Sequence, residues 1–432
     1  MESISYIAAR SNFAKKPKCG VMRHIRTTVF ALSSVFLVAS CSNSSGSSPT
    51  PSPVSPTNPE LEADIMNLVE RRMEEFDLRA AIVRVTIDGE EVTTFARGES
   101  LTGVPATTDM HFRNGAVAIS YVATLLLTLV DENRVDLDDT VATWLPDIPH
   151  GERVTLGQLA QMTSGYPDYV IGNEAFGAML YDNPFRQWEP EELLAQIADA
   201  PLFYEPGTNW NYAHTNYVIL GLALEEILGQ PIDVAMEERV LGPLGLINTT
   251  DPGTPAISEP VLHAFTSERR DHLGVAAGTP FYEEATFWNP SWTITRGAIQ
   301  TTNIHDLNAT ASAISSGRLL SPESHKLMVS TDLRGFGSAV EGCATCFQQS
   351  VGYSYGLGII TTGNWLAQNP MFAGEAAAFG YLPSKGVAIA VAVTFSEDSF
   401  DEDGNPPPNR ADALWREIGE LIVPDDAPPI RR

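Results

Sequence analysis

Apolar residues recur at helical spacing over 60–76, where Leu61, Ile65, Leu68, Val69 and Met73 fall on one face. Two β-rich runs follow, 80–88 and 91–97, split by Asp88-Gly89, a pair that favours a hairpin turn. The stretch 116–133 is different. Val117, Ile119, Val122, Leu125, Leu126, Leu127, Leu129 and Val130 leave it apolar nearly all round. A helix without a polar face belongs at the centre of a fold, and this one is short of the ~20 residues needed to cross a bilayer. A mostly helical middle extends to about 317, broken by Pro and Gly turns. Strand-like runs return at 353–361, 371–379 and 387–394, with Ser384-Lys385-Gly386 as the last turn, and a final helix covers 410–423. No internal repeat is visible. This order predicts an α/β fold of the α+β kind, an antiparallel sheet built from both chain ends, flanked by helices, with an all-α lobe inserted. The expected α/β lobe is 60–115 with 318–432, and the expected helical lobe is 116–317.

The first 41 residues read as an address. After Met22, Arg23 and Arg26 supply a positive region and 29–38 a short apolar core, leading to Val38-Ala39-Ser40-Cys41. That ending resembles a bacterial lipobox, whose cysteine takes the lipid. The segment 1–41 is therefore expected to be a lipoprotein signal with its start at Met22. Cys41 would then anchor an exported protein to the extracytoplasmic face of the bacterial membrane. The competing reading, a transmembrane anchor, needs a longer apolar run. Residues 42–59 are almost all Ser, Pro, Asn and Thr, a tether that cannot bury a core. The folded domain is then 60–432, a size that usually divides into two packed lobes.

Charge narrows the partners. The chain carries 27 basic and 54 acidic residues. Residues 1–40 hold six of the basic residues and one of the acidic, so the rest is more acidic still. Nucleic acid is an unsuitable partner for such a surface. Only Lys326 and Lys385 remain after the leader. Cys343 and Cys346 form C-A-T-C, which suggests metal or redox chemistry in the cytosol and a local disulfide outside it. No second pair exists to complete a zinc site, and no metal or cofactor is expected. Oligomeric state is not legible.

Several ordered segments carry a family pattern: 129–139 (LVDENRVDLDD), Thr155-Leu156-Gly157-Gln158-Leu159, Thr163-Ser164-Gly165-Tyr166-Pro167-Asp168, the run from Glu205-Pro206-Gly207 through Tyr212, Asn216-Tyr217 and Leu220-Gly221 to Gly229, and Gln300-Thr301-Thr302 with Asp306-Leu307. Together they resemble the serine β-lactamase-related hydrolases: class C β-lactamases, D-alanyl-D-alanine carboxypeptidases, penicillin-binding-protein-like enzymes and related esterases. The resemblance implies the β-lactamase/transpeptidase fold and three catalytic motifs. The first, S-x-x-K, opens the central helix. Its serine attacks a carbonyl and its lysine, one turn on, helps activate it. Here Ala116 stands at the serine position and Ile119 at the lysine position, and neither side chain can attack or carry a proton. Glu323 precedes Lys326 by three and Leu382 precedes Lys385 by three, so no S-x-x-K lies elsewhere after the leader. Ser120 is the one nearby hydroxyl, expected to be buried.

The second motif, Y-x-N, matches Tyr212-Ala213-His214. The third, K-T-G or H-x-G on a sheet edge, finds its best match in Phe372-Ala373-Gly374. Gly352-Tyr353-Ser354-Tyr355-Gly356 fits the G-x-S-x-G elbow of another fold. A strand-like run follows it, so a glycine-rich strand is expected instead. Three readings of function result. The leading one is a non-acylating pseudoenzyme that binds a cell-wall peptide or a related carbonyl or carboxylate ligand. The Ala116 N–H, the N–H of Glu375, Tyr212 and His214 would be its ligand groups. The second is a hydrolase of small esters or amides with Tyr212 and His214 as acid and base. The third is a surface scaffold with a vestigial pocket.

Overall fold

The computed structural model describes residues 58–276, 278–294 and 300–429. The expected leader, Cys41 and nearly all of the tether lie outside these residues.

The first helix, α1 (Pro59–Glu75), starts on Asn58, whose side chain accepts from the Leu61 N–H, with proline in its first turn. Ile65 and Val69 on its apolar face are fully buried. Two long strands follow, β1 (Leu78–Ile87) and β2 (Glu90–Leu101), then the short β3 (Val104–Pro105). The rest of the sheet comes from the C-terminal third: β4 (Ser354–Tyr355), β5 (Ile360–Thr362), β6 (Trp365–Gln368), β7 (Met371–Phe372), β8 (Glu375–Leu382) and β9 (Val387–Phe395). Among the described residues the order is β3-β2-β1-β9-β8-β6-β5-β4, with β7 paired to β8. Every pair is antiparallel. The two chain ends meet at β1 and β9, in register from Ala80 opposite Thr394 to Ile87 opposite Val387. All nine residues of β9 are buried, which accounts for an unbroken apolar run rather than an alternating one. The expected antiparallel sheet from both chain ends is therefore present.

Between these halves lie the helices that position the site. The central helix α2 (Val117–Asp131) buries every residue from Val117 to Leu127, and Leu129. The second, α3 (His214–Leu228), ends at Gly229, whose positive φ closes the helix. A third, α4 (Ile304–Ser315), packs on β9, β1 and β8. Its Asn308 donates to the carbonyls of Arg84 (3.3 Å) and Ala388 (3.0 Å) and accepts from Thr86. This puts α4 with the sheet, so the lobe boundary expected at 317 falls later than the packing places it. The last helix, α5 (Arg410–Ile422), lies on β8 and β9 and touches α1.

Two strand expectations need correction. The run 353–361 is not one strand: it breaks at Gly356 and Gly358 into β4 and β5. Ser354 sits in β4 with no exposure, so the G-x-S-x-G segment is a strand and not a nucleophile elbow. The run 371–379 is a hairpin, with Ala373-Gly374 joining β7 to β8. The neighbouring strand β6 had no periodicity signal, being only four residues long.

Candidate ligand-binding site

A cavity of about 480 Å³ opens where the starts of α2 and α3, the end of β6 and the segments around 290–294 and 344–347 converge. Each wall has a local cause. Gly115 precedes α2 at φ +50°, and a Cβ there would stand 2.5 Å from the Pro370 Cβ. Glycine thus lets the helix start come up against the segment leaving β6. Ala116, half-buried, caps α2 and lines the cavity. Its methyl group is the whole side chain, and its N–H makes no hydrogen bond among the described residues. Ile119, one turn on, is 1% exposed and packs in the main core, outside the cavity lining. Ser120 is also out of reach: its hydroxyl donates to the Gly358 carbonyl (2.6 Å) and accepts from the Gln368 side chain (3.0 Å).

Tyr212 and His214 both line the cavity. They sit at the entry to α3, with ring centroids 5.4 Å apart and nearly perpendicular planes. His214 presents Nδ1 to the carboxylate of Asp168, at 3.0 and 3.2 Å. The Asp168 side chain is only 2% exposed, and its backbone neighbourhood fixes it further, because Oδ1 accepts from the Val170 N–H (3.0 Å). An Nδ1 facing a carboxylate carries the proton in the neutral ring, which leaves Nε2 as the basic edge. No partner for Nε2 occurs among the described residues. Tyr169 and Trp292 pack beside the imidazole at 6.0 and 6.1 Å. Burial pushes the Tyr212 hydroxyl well above its ordinary value, with Asp168 and Tyr353 adding to the effect. Tyr212 is accordingly a proton donor and not a base at neutral pH.

The floor is aromatic. Trp210, Tyr355, Phe347 and Tyr353 line it, and the buried Trp210 Nε1 has no hydrogen-bond partner among the described residues. Unsatisfied buried donors of this kind are the usual handles of a ligand site. The Cys343–Cys346 disulfide is formed, and Ala344 and Thr345 within it line the cavity. Thr345 donates to the Tyr212 carbonyl (2.9 Å), tying the bridged loop to the α3 entry.

The third motif sits differently from expectation. Phe372 reaches the cavity, but Gly374 does not. Gly374 lies in the hairpin at φ +79°, and any Cβ there would meet the Phe265 backbone. Glu375 is 6% exposed and also lies outside the lining, so it is withdrawn as a ligand group. The segment facing Ala116 is instead Gln368-Asn369-Pro370, all three lining the cavity. Burial raises the Glu375 carboxyl to about 8, with the Arg113 guanidinium and backbone opposing that rise.

Arg113 itself lines the cavity and was missed as a site residue. It is 4% exposed and donates from Nη2 to the carbonyls of Pro255, Thr286 (3.2 Å) and Trp288 (3.5 Å). Among the described residues Nε and Nη1 have no hydrogen-bond partner. Its position just before the Ala116 motif was the only available signal. Among the described residues no group of three His, Cys, Asp or Glu is arranged to hold a metal.

A family model described as Beta-lactamase matches residues 65–412. The chain belongs to the β-lactamase family. Curated relatives in this family include "Penicillin-binding protein 4" of Amycolatopsis lactamdurans, 35% identical over 150 residues, covering 34% of this chain and 37% of that protein. "Esterase EstB" of Burkholderia gladioli is 30% identical over 201 residues, covering 43% of this chain and 50% of that protein. The matched regions thus span half or less of these relatives' lengths. Among solved β-lactamase-family structures, a D-stereospecific amidohydrolase from Streptomyces sp. aligns at TM-score 0.64 and 24% identity, covering 77% of this chain and 94% of that one. The D-amino acid amidase of Ochrobactrum anthropi aligns at 0.68 and 19%, covering 84% and 99%. The fold is the β-lactamase/transpeptidase fold of serine hydrolases.

Proposed function

We propose that this β-lactamase-family domain binds a carbonyl or carboxylate ligand, such as a cell-wall peptide, without being acylated by it. We also propose that Cys41 anchors it by lipid outside the cytoplasmic membrane. One observation carries the binding reading: a walled cavity with unpaired buried donors among the described residues lies over Ala116, whose methyl group cannot attack a carbonyl. Loss of a nucleophile alone costs roughly 10⁶ in rate in a serine hydrolase, about 8 kcal/mol of barrier. Binding groups do not depend on it. The Ala116 N–H at the start of α2 and the buried Arg113 cation both favour an oxygen bearing negative charge.

The test is titration calorimetry with a peptide ending in D-Ala-D-Ala, beside labelling with a fluorescent penicillin. Saturable binding with no covalent label is expected, and binding should weaken in Trp210→Phe, which removes one unpaired donor and keeps the ring. Absence of binding to any such peptide or β-lactam removes the reading.

The Asp168–His214 pair favours a second reading, a hydrolase in which water attacks directly. His214 Nε2 would take a proton from water as its oxygen bonds to the carbonyl carbon. The leaving alcohol or amine would then depart with a proton returned from the imidazolium, and the carboxylic acid would be the other product. Asp168 holds the tautomer this needs. Equal turnover of aryl esters by the wild type and by His214→Ala would exclude this reading.

A further inference from the structure

A second cavity of about 230 Å³ lies beside the first, and the two share Trp292, Met371 and Phe372 in their walls. Trp292 and Phe372 are stacked, with centroids 5.9 Å apart and planes 21° from parallel. They form the partition. The far walls of the second cavity are Tyr181, Trp188 and Trp288, and its one charged lining group is Glu268.

We propose that this cavity binds an organic ammonium ion, with Glu268 as counter-charge and the surrounding aromatic rings as its walls. The inference does not depend on what the first cavity holds. Aromatic rings attract cations through their quadrupoles: Arg186 already sits over one face of Trp188 (3.7 Å) and Arg269 over one of Trp288 (5.5 Å), and Glu268 in the same lining would fix a ligand's charge. The neighbouring cations are already committed to other acids. Arg269 forms a two-point pair with Glu283, both contacts at 2.7 Å. Arg186 pairs with Glu192 at 2.8 Å, and His272 with Asp182 at 2.9 Å. Glu268 has no ion pair among the described residues, and the Tyr181 hydroxyl donates to it at 3.3 Å. Burial raises this carboxyl above its ordinary range, with Thr266, Tyr181 and the Gly374 N–H pulling it back. A carboxylate removed from water without a cation is costly, and a ligand ammonium would relieve that cost. The apolar rings around it exclude a strongly hydrated inorganic ion and favour one with an apolar stem.

The experiment uses the purified full chain at mildly alkaline pH and three probes of one shape: phenethylammonium, the neutral 2-phenylethanol and the anionic phenylacetate. Titration calorimetry should give affinity for phenethylammonium about tenfold above that for 2-phenylethanol, and none for phenylacetate. Glu268→Gln should abolish the preference for the cation and leave the alcohol's affinity unchanged. Trp188→Leu, which alters this cavity and not the first, should weaken the cation several-fold and provides a second check should the glutamine variant not fold. Equal affinity of the wild type for the ammonium and the alcohol overturns the proposal. So does a cation preference that survives in both variants, which would place the binding elsewhere.

Discussion

Replacing Glu375 by glutamine isolates one buried carboxyl and gives it a measurable sign. Glu375 is 6% exposed, the first residue of β8 after the hairpin turn, and its carboxyl is raised from 4.5 to about 8. Desolvation is the main cause, and Arg113 only partly offsets it. Between pH 4.5 and about 8 the folded chain therefore keeps a proton that the unfolded chain has released. By linkage, stability is greatest below that window and falls as pH rises through it, by about 1.4 kcal/mol per pH unit. Across the whole window the loss is at most about 5 kcal/mol, and relaxation around the charge lowers it. Against a total of roughly 5–15 kcal/mol for a domain, even half of that is visible. Glutamine keeps the shape and never ionises. Urea unfolding of wild type and Glu375→Gln at about pH 5, 7 and 9 separates this carboxyl from the many surface acids, which titrate alike in both proteins. The wild-type stability minus that of the variant should fall steadily from pH 5 to 9. A difference that stays constant within about 0.5 kcal/mol would refute the desolvation argument.

Three further outcomes follow from the site. Neither a fluorescent penicillin nor a fluorophosphonate should label the wild type. Ala116→Ser with Ile119→Lys should restore labelling only at a cost, because Lys replaces a side chain 1% exposed, forfeiting about 1.5–3 kcal/mol of apolar burial before any charge penalty. A melting curve taken beside the gel distinguishes failed chemistry from failed folding. Cys343→Ser with Cys346→Ser removes a four-residue loop closure worth about 2 kcal/mol, and peptide affinity should weaken as well, since the loop carries Thr345 to Tyr212. Ser120→Ala should cost only about 0.5–1.5 kcal/mol of stability, because Gln368 still donates to the Gly358 carbonyl at 2.8 Å once the hydroxyl is gone, and should leave ligand affinity unaltered.

What was legible in the chain depended on whether a signal was local. The all-apolar stretch 116–133 announced a central helix, and α2 is buried from its first residue through Leu127. The long strands β1 and β9 were found because their runs exceed any turn-to-turn accident. The spacing of Ala116 and Ile119 is a property of one helix, and in the structure the first lines the cavity while the second packs in the core. The β-lactamase family assignment rested on several such local segments, and the match over 65–412 agrees with it. The Asp168–His214 pair was invisible for the opposite reason. Both residues lay in quoted segments, but 46 positions separate them, and nothing in either segment says that they meet. The same holds for Arg113 with Glu375 and for the meeting of Thr345 with Tyr212.

The misplaced third motif shows how a local signal can mislead. Phe372-Ala373-Gly374 matches K-T-G or H-x-G through its glycine alone. A glycine is demanded by any backbone at positive φ or under close approach, and Gly374 has both causes in the hairpin against Phe265. The segment that takes the motif's place beside Ala116, Gln368-Asn369-Pro370, contains neither a cation nor a glycine. Its closeness to α2 is supplied from the other side, by Gly115. Backbone approach between two elements needs only one residue without a Cβ, and that residue can sit on either element. Of the charges at the cavity, Arg113 comes from just ahead of the first motif, and Asp168 acts on it only through His214 of the second.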